Sequence, residues 1–131
     1  MKLSRKTDYA ILLIEALKPT QKSRQYIRIS EVAVKNNLPK LFLEKIAQML
    51  LARGILASKK GKMGGYRLKK DPKKLSLLDI IKIFEQEDRV QCMKYPRPNE
   101  ACPVAKFSPA EKRWAEIDKK INIIFQEATF A

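Results

Sequence analysis

Between Gly54 and Leu68 the chain reads GILASKKGKMGGYRL, and these fifteen residues restrict the fold more than any other stretch. Ile55-Leu56-Ala57-Ser58 and Tyr66-Arg67-Leu68 are short apolar or alternating runs, the pattern of half-buried strands. The intervening GKMGG turns easily, so a β-hairpin with a glycine-rich tip is predicted. Gly54 also marks the end of the helix that precedes it. A hairpin of this size cannot bury a core alone and must lean on helices, which the flanking sequence supplies.

Leu3, Ala10, Leu13, Ile14 and Leu17 recur at helical spacing and predict a first helix over residues 3–17, stopped by Pro19. After a polar loop, Tyr26-Ile27-Arg28-Ile29 alternates like a short strand, and Ser30 is placed to cap a short second helix ending near Asn36-Asn37. PKLFLEKIAQMLLARG then predicts a third helix, with Pro39 at its start and Leu43, Ile46, Ala47 and Leu50 on one face. Two helices on a tight turn followed by a basic hairpin describe a winged helix-turn-helix, mostly α with a small β wing.

Ser76-Leu77-Leu78-Asp79 has the form of a capping box and opens a further helix through about Glu87. Residues 89–107 hold three prolines and both cysteines and read as loop. Ser108-Pro109-Ala110-Glu111 starts a final helix, along which Ala110, Trp114, Ile117, Ile121, Ile124 and Ala128 recur at intervals of 4, 3, 4, 3 and 4. A helix of about twenty residues, roughly 30 Å long, with so narrow an apolar seam could pack back onto its own domain or onto a second copy, and the second copy is preferred because winged-helix modules commonly read two-fold-related half-sites as dimers. The organisation expected is a DNA-binding domain over residues 1–88, a sensor-like loop over 89–107 and a dimerisation helix over 108–131.

Charge identifies the partner. Residues 1–74 hold 19 Lys and Arg against 5 Asp and Glu, whereas residues 75–131 hold 9 of each kind, so the whole excess of +14 lies in the first part. That asymmetry fits a surface that tracks a polyanion, and double-stranded DNA is the expected partner rather than a membrane. In the hairpin, Lys59, Lys60, Lys62 and Arg67 can meet phosphates, while Gly61, Gly64 and Gly65 let the backbone approach the sugar-phosphate surface. With the apolar face of the third helix buried, Leu41, Glu44, Lys45 and Gln48 turn outward, where Glu and Gln can read cytosine and adenine.

The basic start MKLSRKTDYAILLIEAL is interrupted by Asp8 and Glu15 and is too short in apolar residues to cross a membrane, so a cytoplasmic location is expected. Histidine is absent, as are a phosphate-binding glycine motif, paired zinc-ligand spacing and a nucleophile elbow; the chain does not read as an enzyme. The competing readings are a small basic RNA-associated or architectural protein that grips backbone only, and an adaptor whose last helix binds another protein.

Ile29-Ser30-Glu31-Val32-Ala33, Leu43-Glu44, Gly54-Ile55-Leu56, Lys60-Gly61-Lys62-Met63-Gly64-Gly65-Tyr66 and Leu77-Leu78-Asp79-Ile80-Ile81, with Met1-Lys2-Leu3-Ser4 and Tyr9-Ala10, resemble the Rrf2 family of bacterial transcription regulators over nearly the full chain. The resemblance implies a homodimeric winged-helix repressor or activator acting on a palindromic operator. It also implies that Leu41, Phe42 and Glu44 begin the DNA-reading helix, that residues 60–65 form the wing, and that Trp114, Ile117, Ile121 and Ile124 serve the dimer. Many members hold an iron-sulfur cluster through three cysteines. Here Cys92 matches the first and Cys102 the last, the middle one is missing, and no histidine can replace it. A cluster is therefore disfavoured; a redox switch through the two thiols, a small-molecule effector and inert cysteines stay open.

Overall fold

The computed structural model describes residues 2–85 and 109–131. Helix α1 (Arg5–Leu17) is followed by a single helical turn, α2 (Thr20–Ser23), and by the helix pair α3 (Ile29–Asn36) and α4 (Lys40–Ala52). Strands β1 (Leu56–Lys59) and β2 (Gly65–Leu68) pair antiparallel, with Leu56 opposite Leu68 and Lys59 opposite Gly65. A 3-10 turn (Pro72–Lys74), α5 (Leu77–Phe84) and α6 (Pro109–Glu127) complete the order. The fold is mostly helical, with one two-stranded hairpin among the described residues.

The core follows the apolar faces read from the sequence. Leu13, Ile14 and Leu17 of α1 meet Leu43, Ile46 and Leu50 of α4, and Leu56, Leu68, Leu75 and Ile80 close the cluster, all with essentially no exposure. Each such side chain contributes on the order of 2 kcal/mol by leaving water. Buried Thr20 joins α1 to the hairpin: its hydroxyl donates to the Leu17 carbonyl and accepts from the Leu68 backbone N–H at 2.9 Å.

Four local expectations change. The strand expected at Tyr26 to Ile29 is reduced to one bridge, Ile27 to Tyr66, because α3 already starts at Ile29. Starting there puts Ile29 beside Val32 and Ala33 on the buried face, so Ser30 lies inside the first turn and the Arg28 carbonyl accepts the first helical N–H groups. The segment after Pro19 forms the turn α2 instead of a loop. Helix α5 ends at Phe84, short of Glu87, with Glu85 extended. Its expected capping box is present: the Ser76 hydroxyl accepts from the Asp79 N–H, and the Ser76 N–H donates to the Asp79 carboxylate at 2.9 Å. Cys92, Cys102, Ser108 and the expected loop over 89–107 lie outside the described residues.

Glu85 caps a distant helix. Its Oε1 accepts from the Ser4 backbone N–H at 2.7 Å and the Thr7 hydroxyl at 2.6 Å, at the amino end of α1 where the helix dipole favours negative charge. Burial pushes the Glu85 carboxyl up, but donation by Thr7 and Ser4 outweighs it and holds the group below its usual value. Its stabilising charge is therefore present above the unfolded value of 4.5 and lost as pH falls through the lower folded value. Glu85→Gln is expected to cost about 1 kcal/mol near neutrality, with the difference from wild type shrinking in acid. Urea midpoints across that range check this, and a constant difference would reject the charge as the cause.

The chain end closes on the same core. The Leu77 N–H donates to the Ala128 carbonyl at 2.8 Å, the Phe130 N–H donates to the Leu75 carbonyl at 3.0 Å, and Phe130 is 3% exposed. Helix α6 is thereby held against α5. Along its seam, however, Trp114, Ile117 and Ile124 remain exposed, while Ile121 and Ala128 are half-buried.

Candidate nucleic-acid interface

Helix α4 buries Leu43, Ile46, Ala47 and Leu50, which fixes what its other faces present. Leu41, Lys45 and Gln48 are exposed, and half-buried Glu44 stands 4.0 Å from Lys40. Phe42 behaves differently: its ring packs edge-on against Tyr9, with centroids 5.3 Å apart, so it seats the start of α4 on α1.

In the hairpin, Lys59, Lys60, Gly61, Lys62 and Met63 are exposed. Arg67 is half-buried, with its Nε donating to the Tyr26 hydroxyl at 3.3 Å and its guanidinium carbon 5.6 Å from the Tyr26 ring centre. The Lys59 ammonium lies 6.0 Å from the same ring. Tyr26 thus organises two cations from the two strands.

The hairpin is strapped to the start of α3. Ile27 and Tyr66 exchange backbone hydrogen bonds at 2.9 and 2.8 Å, and the Arg28 guanidinium donates to the Lys62 carbonyl. Two glycines serve this internal packing. A Cβ at Gly64 would fall 2.1 Å from the Lys59 carbonyl oxygen, and one at Gly65, whose φ is +140°, would fall 2.3 Å from that of Ile27. Close approach within the chain therefore explains both glycines before any nucleic acid is considered.

Tyr26 and Arg28, which sequence reasoning overlooked, hold the hairpin's cations and its tip in place. The alternation of Tyr26-Ile27-Arg28 was the available signal: in extended chain the two polar residues share a side opposite Ile27. Among the described residues, no group of three or more Cys, Asp or Glu could hold a metal ion, and no helix is long and apolar enough to cross a membrane.

The comparisons agree on what this arrangement belongs to. The Rrf2 family, described as an iron-dependent transcriptional regulator, matches residues 3–131. A protein of Aquifex aeolicus strain VF5 that carries the name of an HTH-type transcriptional regulator is 29% identical over 106 residues, covering 79% of this chain and 72% of the relative. An rrf2-like HTH-type protein of Rhodobacter capsulatus is 35% identical over 82 residues, covering 61% of this chain and 55% of its own length. The structure of CymR, the global cysteine regulator of B. subtilis, superposes with a TM-score of 0.78 at 22% identity, covering 99% of this chain and 93% of that one, and shows the same fold. With a family match that spans the described elements, a basic winged helix-turn-helix and relatives that regulate transcription, the chain is a DNA-binding transcriptional regulator of the Rrf2 family, not an enzyme.

Proposed function

We propose that the protein acts as a homodimeric transcriptional regulator that reads a palindromic operator with α4 and grips the flanking backbone with its hairpin. The observation that carries this reading is the division of labour on the surface: a short polar face on α4 beside a cation-rich hairpin strapped to α3. Leu41, Glu44, Lys45 and Gln48 meet base edges and nearby phosphates, and Phe42 sets their height. Lys59, Lys60, Lys62 and Arg67 meet phosphates, with the exposed backbone at Gly61 passing close to the duplex, while Gly64 and Gly65, packed against the Lys59 and Ile27 carbonyls, shape the hairpin that presents them.

The exposed apolar side chains Trp114, Ile117 and Ile124 of α6, with half-buried Ile121, support a dimer in which this helix meets its partner. In this scheme residues 1–88 read DNA, 108–131 dimerise, and 89–107, with Cys92 and Cys102, receive a redox or small-molecule signal. The donor set does not fit a resident iron-sulfur cluster: the chain offers two thiols and no imidazole where the family's cluster takes three thiolates and a fourth, variable ligand.

Selection from a random duplex library, followed by footprinting, tests the reading. A two-fold motif with symmetric protection and discrimination of about 10³ over random DNA is expected; binding without a motif would overturn it in favour of backbone gripping alone. Changing Lys59, Lys60 and Lys62 together to Ala is expected to weaken binding to every duplex and to reduce the salt slope by about 2.7 if each meets one phosphate. An unchanged slope would remove the lysines from the interface.

A further inference from the structure

Met63 is the feature of the hairpin that phosphate contact does not explain. It is 81% exposed at the tip, the most exposed large apolar side chain after Val34 among the described residues. Its backbone is braced on both sides: the Gly64 N–H donates to the Gly61 carbonyl at 3.0 Å, the Arg28 guanidinium holds the Lys62 carbonyl, and Gly64 itself is buried under the Lys59 carbonyl. The tip is therefore a built turn that projects a thioether, with Lys60 and Lys62 close to it in sequence and Lys59 at the end of β1 opposite Gly65.

We infer that Met63 is a wedge that enters the minor groove and partly opens a base step, giving the regulator a preference for deformable flanking sequence. The inference rests on the operator-binding reading above. A cationic rim around one apolar tip matches a duplex groove, whose phosphates line the outside and whose base edges and stacked faces lie within. The minor groove is about 6 Å wide and excludes a helix, yet it admits a single unbranched side chain. Methionine suits the irregular gap between two unstacking bases because it is flexible and polarizable. Pyrimidine-purine steps unstack at least cost, so they are the steps such a wedge would favour.

The test uses the full chain and the duplex selected by the wild type, with 2-aminopurine replacing adenine at each pyrimidine-purine step of the protected region in turn. Saturation with wild-type protein is expected to raise the fluorescence at one step in each half-site. Met63→Ala should abolish that rise and weaken binding about tenfold. Met63→Leu should restore both, and all three proteins should keep the same salt slope. Unchanged fluorescence with Met63→Ala at saturation would overturn the wedge, as would weaker binding with the rise retained. If the wild type selects no duplex, the operator reading fails and the wedge with it; if it selects one and the Ala variant behaves identically, the wedge alone fails.

Discussion

Replacing Gly65 by alanine is expected to detach the hairpin from α3, destabilise the protein by about 2–4 kcal/mol and reduce DNA affinity about a hundredfold. The new Cβ would lie 2.3 Å from the Ile27 carbonyl oxygen, 2.5 Å from its carbon and 2.9 Å from the Arg28 nitrogen. All three are backbone atoms, so no rotamer change relieves the overlap, and φ of +140° adds strain of its own. Relief requires breaking the paired Ile27 and Tyr66 hydrogen bonds, after which the wing cations lose their fixed height relative to α4. Gly61→Ala is the control: it carries the strain of φ +104° but meets nothing within 4 Å, and a cost near 1 kcal/mol is expected. Denaturant midpoints and duplex titrations check both variants. A Gly65→Ala protein within about 0.5 kcal/mol of wild type would show that the hairpin does not depend on this approach.

The combined change Ile117→Asp and Ile124→Asp is expected to yield a folded monomer that loses binding to a two-fold operator by more than about a hundredfold while keeping its weak affinity for one half-site. Ile117 is 44% exposed and Ile124 63% exposed within one chain, so carboxylates at both positions are solvated in the monomer and only an apolar interface would reject them. Sedimentation gives the mass, far-UV circular dichroism confirms that α6 persists, and fluorescence of Trp114, the only tryptophan, reports whether its 44% exposed indole is covered in the wild type. A variant that sediments like wild type would place the dimer contact elsewhere.

How far the fold could be read ahead depended on whether neighbours in sequence sufficed. Helix α4 was legible because Leu43, Ile46, Ala47 and Leu50 state a buried face and Pro39 and Gly54 its limits; the capping box at Ser76 and the hairpin were legible for the same local reasons. The start of α3 was misplaced because a cap residue, Ser30, competed with the burial of Ile29, and tertiary packing prevailed over local capping. Glu85 holding Ser4 and Thr7, and Phe130 entering the core, join segments far apart in sequence and left no periodic trace. At the interface, the lysines were visible from composition, but the reasons for Gly64 and Gly65 were not: they are set by the Lys59 and Ile27 carbonyls, atoms that every residue possesses.

The clasp of Glu85 on Ser4 closes a ring 81 residues apart in sequence, whereas α3 with α4 and the two strands of the hairpin are built from near neighbours. Closing a long ring costs more chain entropy than closing a short one, and that cost falls before the contacts it makes are gained. The order of assembly follows: α3, α4 and the hairpin can gather early, and the first turn of α1 locks to the end of α5 late. During synthesis the clasp cannot form until residue 85 has left the ribosome, so the first turn of α1 stays unlatched while the chain between them is made.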